Sequence, residues 1–162
     1  MTGAPGQPPG APAPREQVIS LVPFVLRRRV TWGECDAAGV VYTPRFADFA
    51  ADAGQLFIAH ALGSADGYVA GKAAHGIGTP CKAMSFVFHR SLVPDQFFDI
   101  QVDVRRIGGK TFELALAGRN TDGEPVFDNT TTLIAVAHGS RTAVELPQSV
   151  RQCLAAHLRP ST

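Results

Sequence analysis

Apolar residues in this chain change their spacing twice. Residues 24–32 form a largely apolar run interrupted by Arg27, Arg28 and Arg29, which predicts a strand with arginines alternating between its two faces. Spread that way they form no flat patch. They read as a solvated strand face or, alternatively, as forks for phosphate oxygens. From 43 to 62 the period lengthens: Phe46, Phe49, Ala50, Ala53, Leu56, Phe57, His60 and Ala61 trace one stripe, with Arg45, Asp48, Asp52 and Gln55 on another side. This predicts the chain's longest helix. Thr43 and Pro44 open it, as a hydroxyl cap and a proline suited to the first turn, and Gly63 ends it. Gly54 in its middle predicts close approach of another backbone.

Residues 64–80, with Gly67, Gly71, Gly76 and Gly78, read as a connection containing a short helical piece around Val69. The run His75-Gly76-Ile77-Gly78-Thr79 lacks the Lys-Ser/Thr ending of a phosphate loop and follows no strand, which excludes that motif. Period two then returns. Met84, Phe86 and Phe88 alternate with Ser85, Val87 and His89 over 82–93; Ile100, Val102 and Val104 share a face over 97–107. Phe112, Leu114 and Leu116 do so over 110–119, and a further strand spans 125–138. Gly108-Gly109 and Asn120-Thr121-Asp122-Gly123 supply the turns. Pro147 opens a short C-terminal helix with Val150, Cys153, Leu154 and His157 on one face. The expected class is α+β: an antiparallel sheet of about five strands wrapped around one long helix.

Composition narrows the setting. Residues 1–16 hold five of the twelve prolines and three glycines, so they read as a flexible arm, with 17–162 as a single domain. A net charge of +1 gives no global field to recruit nucleic acid or an anionic membrane. No apolar run approaches the roughly 20 residues of a membrane helix, and the N-terminus lacks a secretory pattern. Cys35, Cys81 and Cys153 show no CxxC spacing and read as reduced thiols, so the expected location is the cytoplasm. No metal-spaced cluster or redox motif calls for a metal or cofactor.

The densest candidate chemistry lies between Trp32 and Phe49. Asp36, the small-residue loop Ala37-Ala38-Gly39 and the helix start at Thr43-Pro44 fall within eight positions. A carboxylate beside free helix amides suits attack on a carbonyl, whereas the simpler alternative is an aspartate capping a turn. Glu34 reads as a structural neighbour, Asp52 as part of a solvated or inter-helix face, and His60 as a packed histidine.

Residues 30–46, VTWGECDAAGVVYTPRF, resemble the signature of hotdog-fold acyl-CoA thioesterases, particularly the 4-hydroxybenzoyl-CoA thioesterase branch. The similarity covers about residues 24–138, with Ala37 in place of the family's usual proline and Thr43 in place of an aromatic. It implies hydrolysis of an acyl-CoA, aryl or hydroxyaryl groups among the candidates, to a carboxylic acid and CoA. Asp36 would be nucleophile or general base, and the helix-start amide at Thr43 would stabilise the oxyanion. Since Pro44 has no N–H, the donor is Thr43, Arg45 or Phe46. Val40, Tyr42 and Phe46 would line the acyl pocket. Lys110 matches a basic family position for CoA phosphates, with Arg90, Arg105 and Arg106 as further candidates. The resemblance also implies a homodimer or homotetramer with sites at subunit interfaces. Alternatives are a non-catalytic acyl-CoA-binding module and, more weakly, a hydratase or dehydratase.

Overall fold

The computed structural model describes residues 10–159; residues 1–9 of the expected arm lie outside them. In chain order come β1 (Glu16–Leu21), β2 (Phe24–Arg29), a 3₁₀ turn at Trp32–Glu34, α1 (Arg45–Ala61), α2 (Tyr68–Ala74), β3 (Ile77–Gly78) and β4 (Cys81–Phe88). They continue with β5 (Phe97–Ile107), β6 (Thr111–Asn120), β7 (Pro125–Ile134), β8 (Val136–Ala137) and α3 (Gln148–Ala155). Six strands form one antiparallel sheet in the order β1-β2-β5-β6-β7-β4, and β3 pairs separately with β8.

Alternation explains the sheet. Ile100, Val102 and Val104 of β5 and Phe112, Leu114 and Leu116 of β6 are all buried and share one core with Phe46, Phe49, Ala50, Ala53 and Phe57 of α1. Phe49 and Phe57 are fully buried, each worth about 1.5–3 kcal/mol in transfer from water. The long helix is therefore the filling of the sheet, as its stripe predicts.

Four details differ from the sequence reading. β1 is an additional strand; its Ile19 and Leu21 are exposed, so backbone pairing with β2, rather than burial, holds it at the sheet edge. The α1 stripe is rotated slightly, leaving Leu56 exposed and burying Ile58. Beside Gly54, a Cβ would meet Leu114 Cδ1 at 3.5 Å, ordinary contact with a side chain rather than a backbone. Finally, Pro44, not Thr43, occupies the N-cap position of α1, and no side chain caps the helix.

Gly118 carries the tightest approach in the sheet. A Cβ there would lie 2.3 Å from Cε1 of the fully buried Phe127, whose ring packs on Phe46 and Phe86. Gly118→Ala is expected to cost about 1–3 kcal/mol through overpacking, read from the denaturant midpoint.

At the other end, the C-terminal segment is strapped to β5: the Val104 N–H donates to His157 O (3.1 Å) and the Arg159 N–H to Val104 O (2.8 Å). The His157 ring lies 5.1 Å from Phe57 and 5.6 Å from His60. Burial, and then the charges of His60 and Arg159, push the His157 pKa down, against an upward pull from Asp103. The unfolded chain therefore binds this proton more readily, so stability is full above about pH 6.5 and declines as pH falls through the lowered folded value. His157→Phe is expected to flatten that acid decline of Tm.

Candidate functional site

The loop between β2 and α1 is a tight, two-sided device. Cys35 and Val41 face each other as an antiparallel bridge. The Asp36 N–H donates to Val40 O and the Tyr42 N–H to Glu34 O, each at 2.9 Å. At its tip, Gly39 has φ +77°, which a side chain would resist. The Ala38 N–H donates to Asp36 Oδ1 at 2.8 Å. Asp36 therefore does cap a turn, yet this bond uses one oxygen; among the described residues Oδ2 has no hydrogen-bond partner.

The helix start is equally specific. The Arg45 N–H donates to Tyr42 O (2.8 Å) and the Phe46 N–H to Thr43 O (3.2 Å), while Pro44 has no N–H. That leaves Thr43, whose N–H has no acceptor among the described residues. Of the three candidate donors, Thr43 alone is unoccupied, at the positive end of a 17-residue helix.

Asp36, Val40, Thr43, Phe46 and Arg90 line one open cavity of about 310 Å³, together with Val41 and with Phe88, His89 and Ser91 at the end of β4. The other expected residues lie elsewhere. Tyr42 is exposed and does not line it. Arg106 pairs with Glu113 (3.1 Å), Arg105 donates to Thr130 Oγ1 (3.3 Å) and Lys110 is exposed near the β5–β6 turn. Within the cavity wall, Arg90 is paired with Glu124 at 2.8 Å. His89, unremarked in the sequence except as an outward strand position, has Nε2 2.8 Å from Asp128 Oδ2. Its only signal was a histidine beside an arginine at a strand end.

Cys35 is not a competing nucleophile. Burial, then the Glu34 and Asp36 carboxylates, push its thiol pKa up and keep it protonated.

Behind the loop sits a buried charge network. Arg28 is only 2% exposed, not solvated as the strand pattern suggests. Its Nη2 lies 2.7 Å from Glu34 Oε1, its Nη1 contacts Glu16 and lies 3.5 Å from Asp52, and its guanidinium stacks 4.3 Å over Phe49. Glu34 also accepts from Arg15 and, through Oε2, from the Thr31 N–H at 2.7 Å. Burial raises the Glu34 pKa, but the bonds from Thr31 and Arg28 and the Arg28 charge outweigh it, holding the carboxyl below its ordinary range. Arg27 is accounted for by a two-pronged pair with Asp99 at 2.7 and 2.9 Å.

A second, apolar cavity of about 200 Å³ runs along α1 past Ala50, Gly54 and Ile58 to Met84 and Leu114. Tyr68, Thr79 and Pro80 are shared between it and an open basin of about 670 Å³ that includes Lys72 and Arg141. The Tyr68 hydroxyl and Thr79 Oγ1 are 2.8 Å apart. No sequence pattern pointed to Lys72 or Arg141, which come from the Gly-rich connection and the turn before α3. Among the described residues no group of three or more His, Cys, Asp or Glu could hold a metal, and no helix is long and apolar enough to cross a membrane.

Comparison with known proteins agrees with this geometry at the level of fold and family. A family model described as the thioesterase-like superfamily matches residues 30–154. A thioesterase-superfamily protein from Jannaschia sp. CCS1 superposes with a TM-score of 0.78 at 24% identity, over 84% of this chain and 93% of its own. A gentisyl-coenzyme A thioesterase gives 0.70 at 22% identity, over 80% and 98%. A Staphylococcus aureus protein solved in complex with CoA gives 0.75 at 14%, over 94% and 92%. No curated protein sequence matches. The fold is the hotdog fold of the thioesterase superfamily.

Proposed function

This chain belongs to the thioesterase-like superfamily, and from that premise we propose that it is an acyl-CoA thioesterase acting at the Asp36–Thr43 cavity. The observation that carries this reading is the pairing of an uncommitted carboxylate oxygen on Asp36 with the unoccupied Thr43 amide, both on one cavity wall. A thioester is already activated, so hydrolysis needs a nucleophile or base and a donor for the developing oxyanion. Asp36 either attacks the carbonyl carbon, breaking the C–S bond to release CoA thiolate and leaving a mixed anhydride that water hydrolyses, or deprotonates a water that attacks the carbon and expels the thiolate. The Thr43 N–H and the helix dipole hold the charge that gathers on oxygen.

Val40 and Phe46 give the acyl group an apolar wall, which suits an aryl or hydroxyaryl group as in the 4-hydroxybenzoyl-CoA branch. The phosphates of CoA need cations. Arg90 is on the cavity itself, Lys72 and Arg141 sit in the basin that adjoins the apolar cavity along α1, and Arg105, Arg106 and Lys110 are solvent-exposed. β4 is a free sheet edge with Val87 and Phe88 exposed, and Phe88 also lines the cavity. Edge-to-edge pairing of two copies would cover the site, giving a homodimer or a homotetramer built from it.

Free thiol should appear when the protein meets a panel of aryl and aliphatic acyl-CoAs. Saturable binding without thiol release would instead make it an acyl-CoA-binding module, and hydration of an enoyl-CoA would make it a hydratase.

A further inference from the structure

Resting on the reading of Asp36 and Thr43 as the reacting pair, we propose that Arg28 and Glu34 are positioning residues that set the distance between them. Glu34 stands two residues before Asp36, and its backbone oxygen takes the N–H of Tyr42, the residue before Thr43. One residue therefore touches both arms of the loop. Its carboxylate is held from a third side by the Thr31 N–H and from beneath by Arg28. Arg28 in turn reaches Asp52 and sits over the Phe49 ring, both on α1, whose N-terminus the oxyanion donor Thr43 immediately precedes. The pair thus ties the loop bearing the carboxylate to the helix whose start the amide adjoins.

A network with only a stabilising role would not need this placement. Its two principal charges are almost entirely buried, while Glu16, Asp52 and Arg15 at its rim keep about a third to half of their side-chain surface in water. A buried ion pair can often be replaced by apolar side chains of similar volume without loss of stability. What an apolar pair cannot supply is direction. It has no charged oxygen to hold the Thr31 N–H, nor a fork to fix the loop against α1. Misplacement of reacting groups by about 1 Å is enough to cost on the order of 100-fold in rate.

The test is the double variant Arg28→Met/Glu34→Met beside wild type and Asp36→Asn. Its Tm should return close to wild type, while kcat for acyl-CoA falls about 10- to 100-fold with KM little changed. Amide exchange gives a readout independent of activity: the Asp36 and Tyr42 N–H groups should exchange at least about tenfold faster, with the β5 amides still protected. A double variant with wild-type kcat, or with unchanged protection of those two amides, overturns the positioning role. If wild type turns over no acyl-CoA, the thioesterase reading fails, and if Asp36→Asn is as active as wild type, the assignment of Asp36 fails; in either case the amide exchange still decides whether the pair orders the loop.

Discussion

Asp36→Asn is expected to lower thiol release from acyl-CoA on the order of 100- to 10,000-fold, with little change in Tm. The separation of the two effects follows from geometry. Only one Asp36 oxygen serves the structure, accepting the Ala38 N–H at 2.8 Å, and an asparagine carbonyl can accept the same bond. The negative charge has no structural partner among the described residues. Removing it should thus cost chemistry rather than fold. Activity and thermal melting measured on the same preparation check both halves. A rate near that of wild type would return Asp36 to the role of a turn cap.

Arg28→Leu is expected to destabilise the fold by about 3–5 kcal/mol, because it strands the Glu34 carboxylate in the interior without its principal partner. Arg15, half exposed, is a weaker substitute. The same pair gives stability a pH dependence. Glu34 has a lowered folded-state pKa, so its contribution is present above the unfolded carboxylate value of about 4.3 and is lost as pH falls through the folded value. Urea titrations of wild type and Arg28→Leu, at neutral pH and again in acid, measure both effects. The difference between the two proteins should shrink in acid, where a protonated Glu34 no longer misses its arginine.

The proposed Asp36–Thr43 pair was legible in the sequence because its determinants are local. An aspartate, a glycine able to adopt positive φ and a proline-marked helix start lie within a few residues, and the loop folds on itself. β5 and β6 were legible for a similar reason: one face is buried from Phe98 to Val104 in β5 and from Phe112 to Asn120 in β6, so alternation is unbroken over those stretches. β1 was not, since an edge strand held by backbone bonds carries exposed Ile19 and Leu21 and shows no burial pattern. Nor was the fate of Arg28. Its partners Glu16, Glu34 and Asp52 come from a strand, a turn and a helix, and strand periodicity alone gives an arginine no reason to be inside.

The cation candidates show the same division. Arg90 reaches the cavity because the end of β4 runs beside the Asp36 loop, where the Val41 N–H meets Leu92 O at 2.9 Å. Lys72 and Arg141 meet in a basin only because β3 pairs with β8, a two-residue ladder too short to leave a periodic signal.

In the proposed reaction a thioester carbonyl sits between Asp36 and the Thr43 amide. A crystal structure of Asp36→Asn with an acyl-CoA bound tests it most directly. The expected result places the carbonyl oxygen about 2.7–3.1 Å from the Thr43 nitrogen, with the carbonyl carbon facing residue 36. A thioester held with its carbonyl away from Thr43, or lodged in the basin beside Lys72 and Arg141, would contradict it.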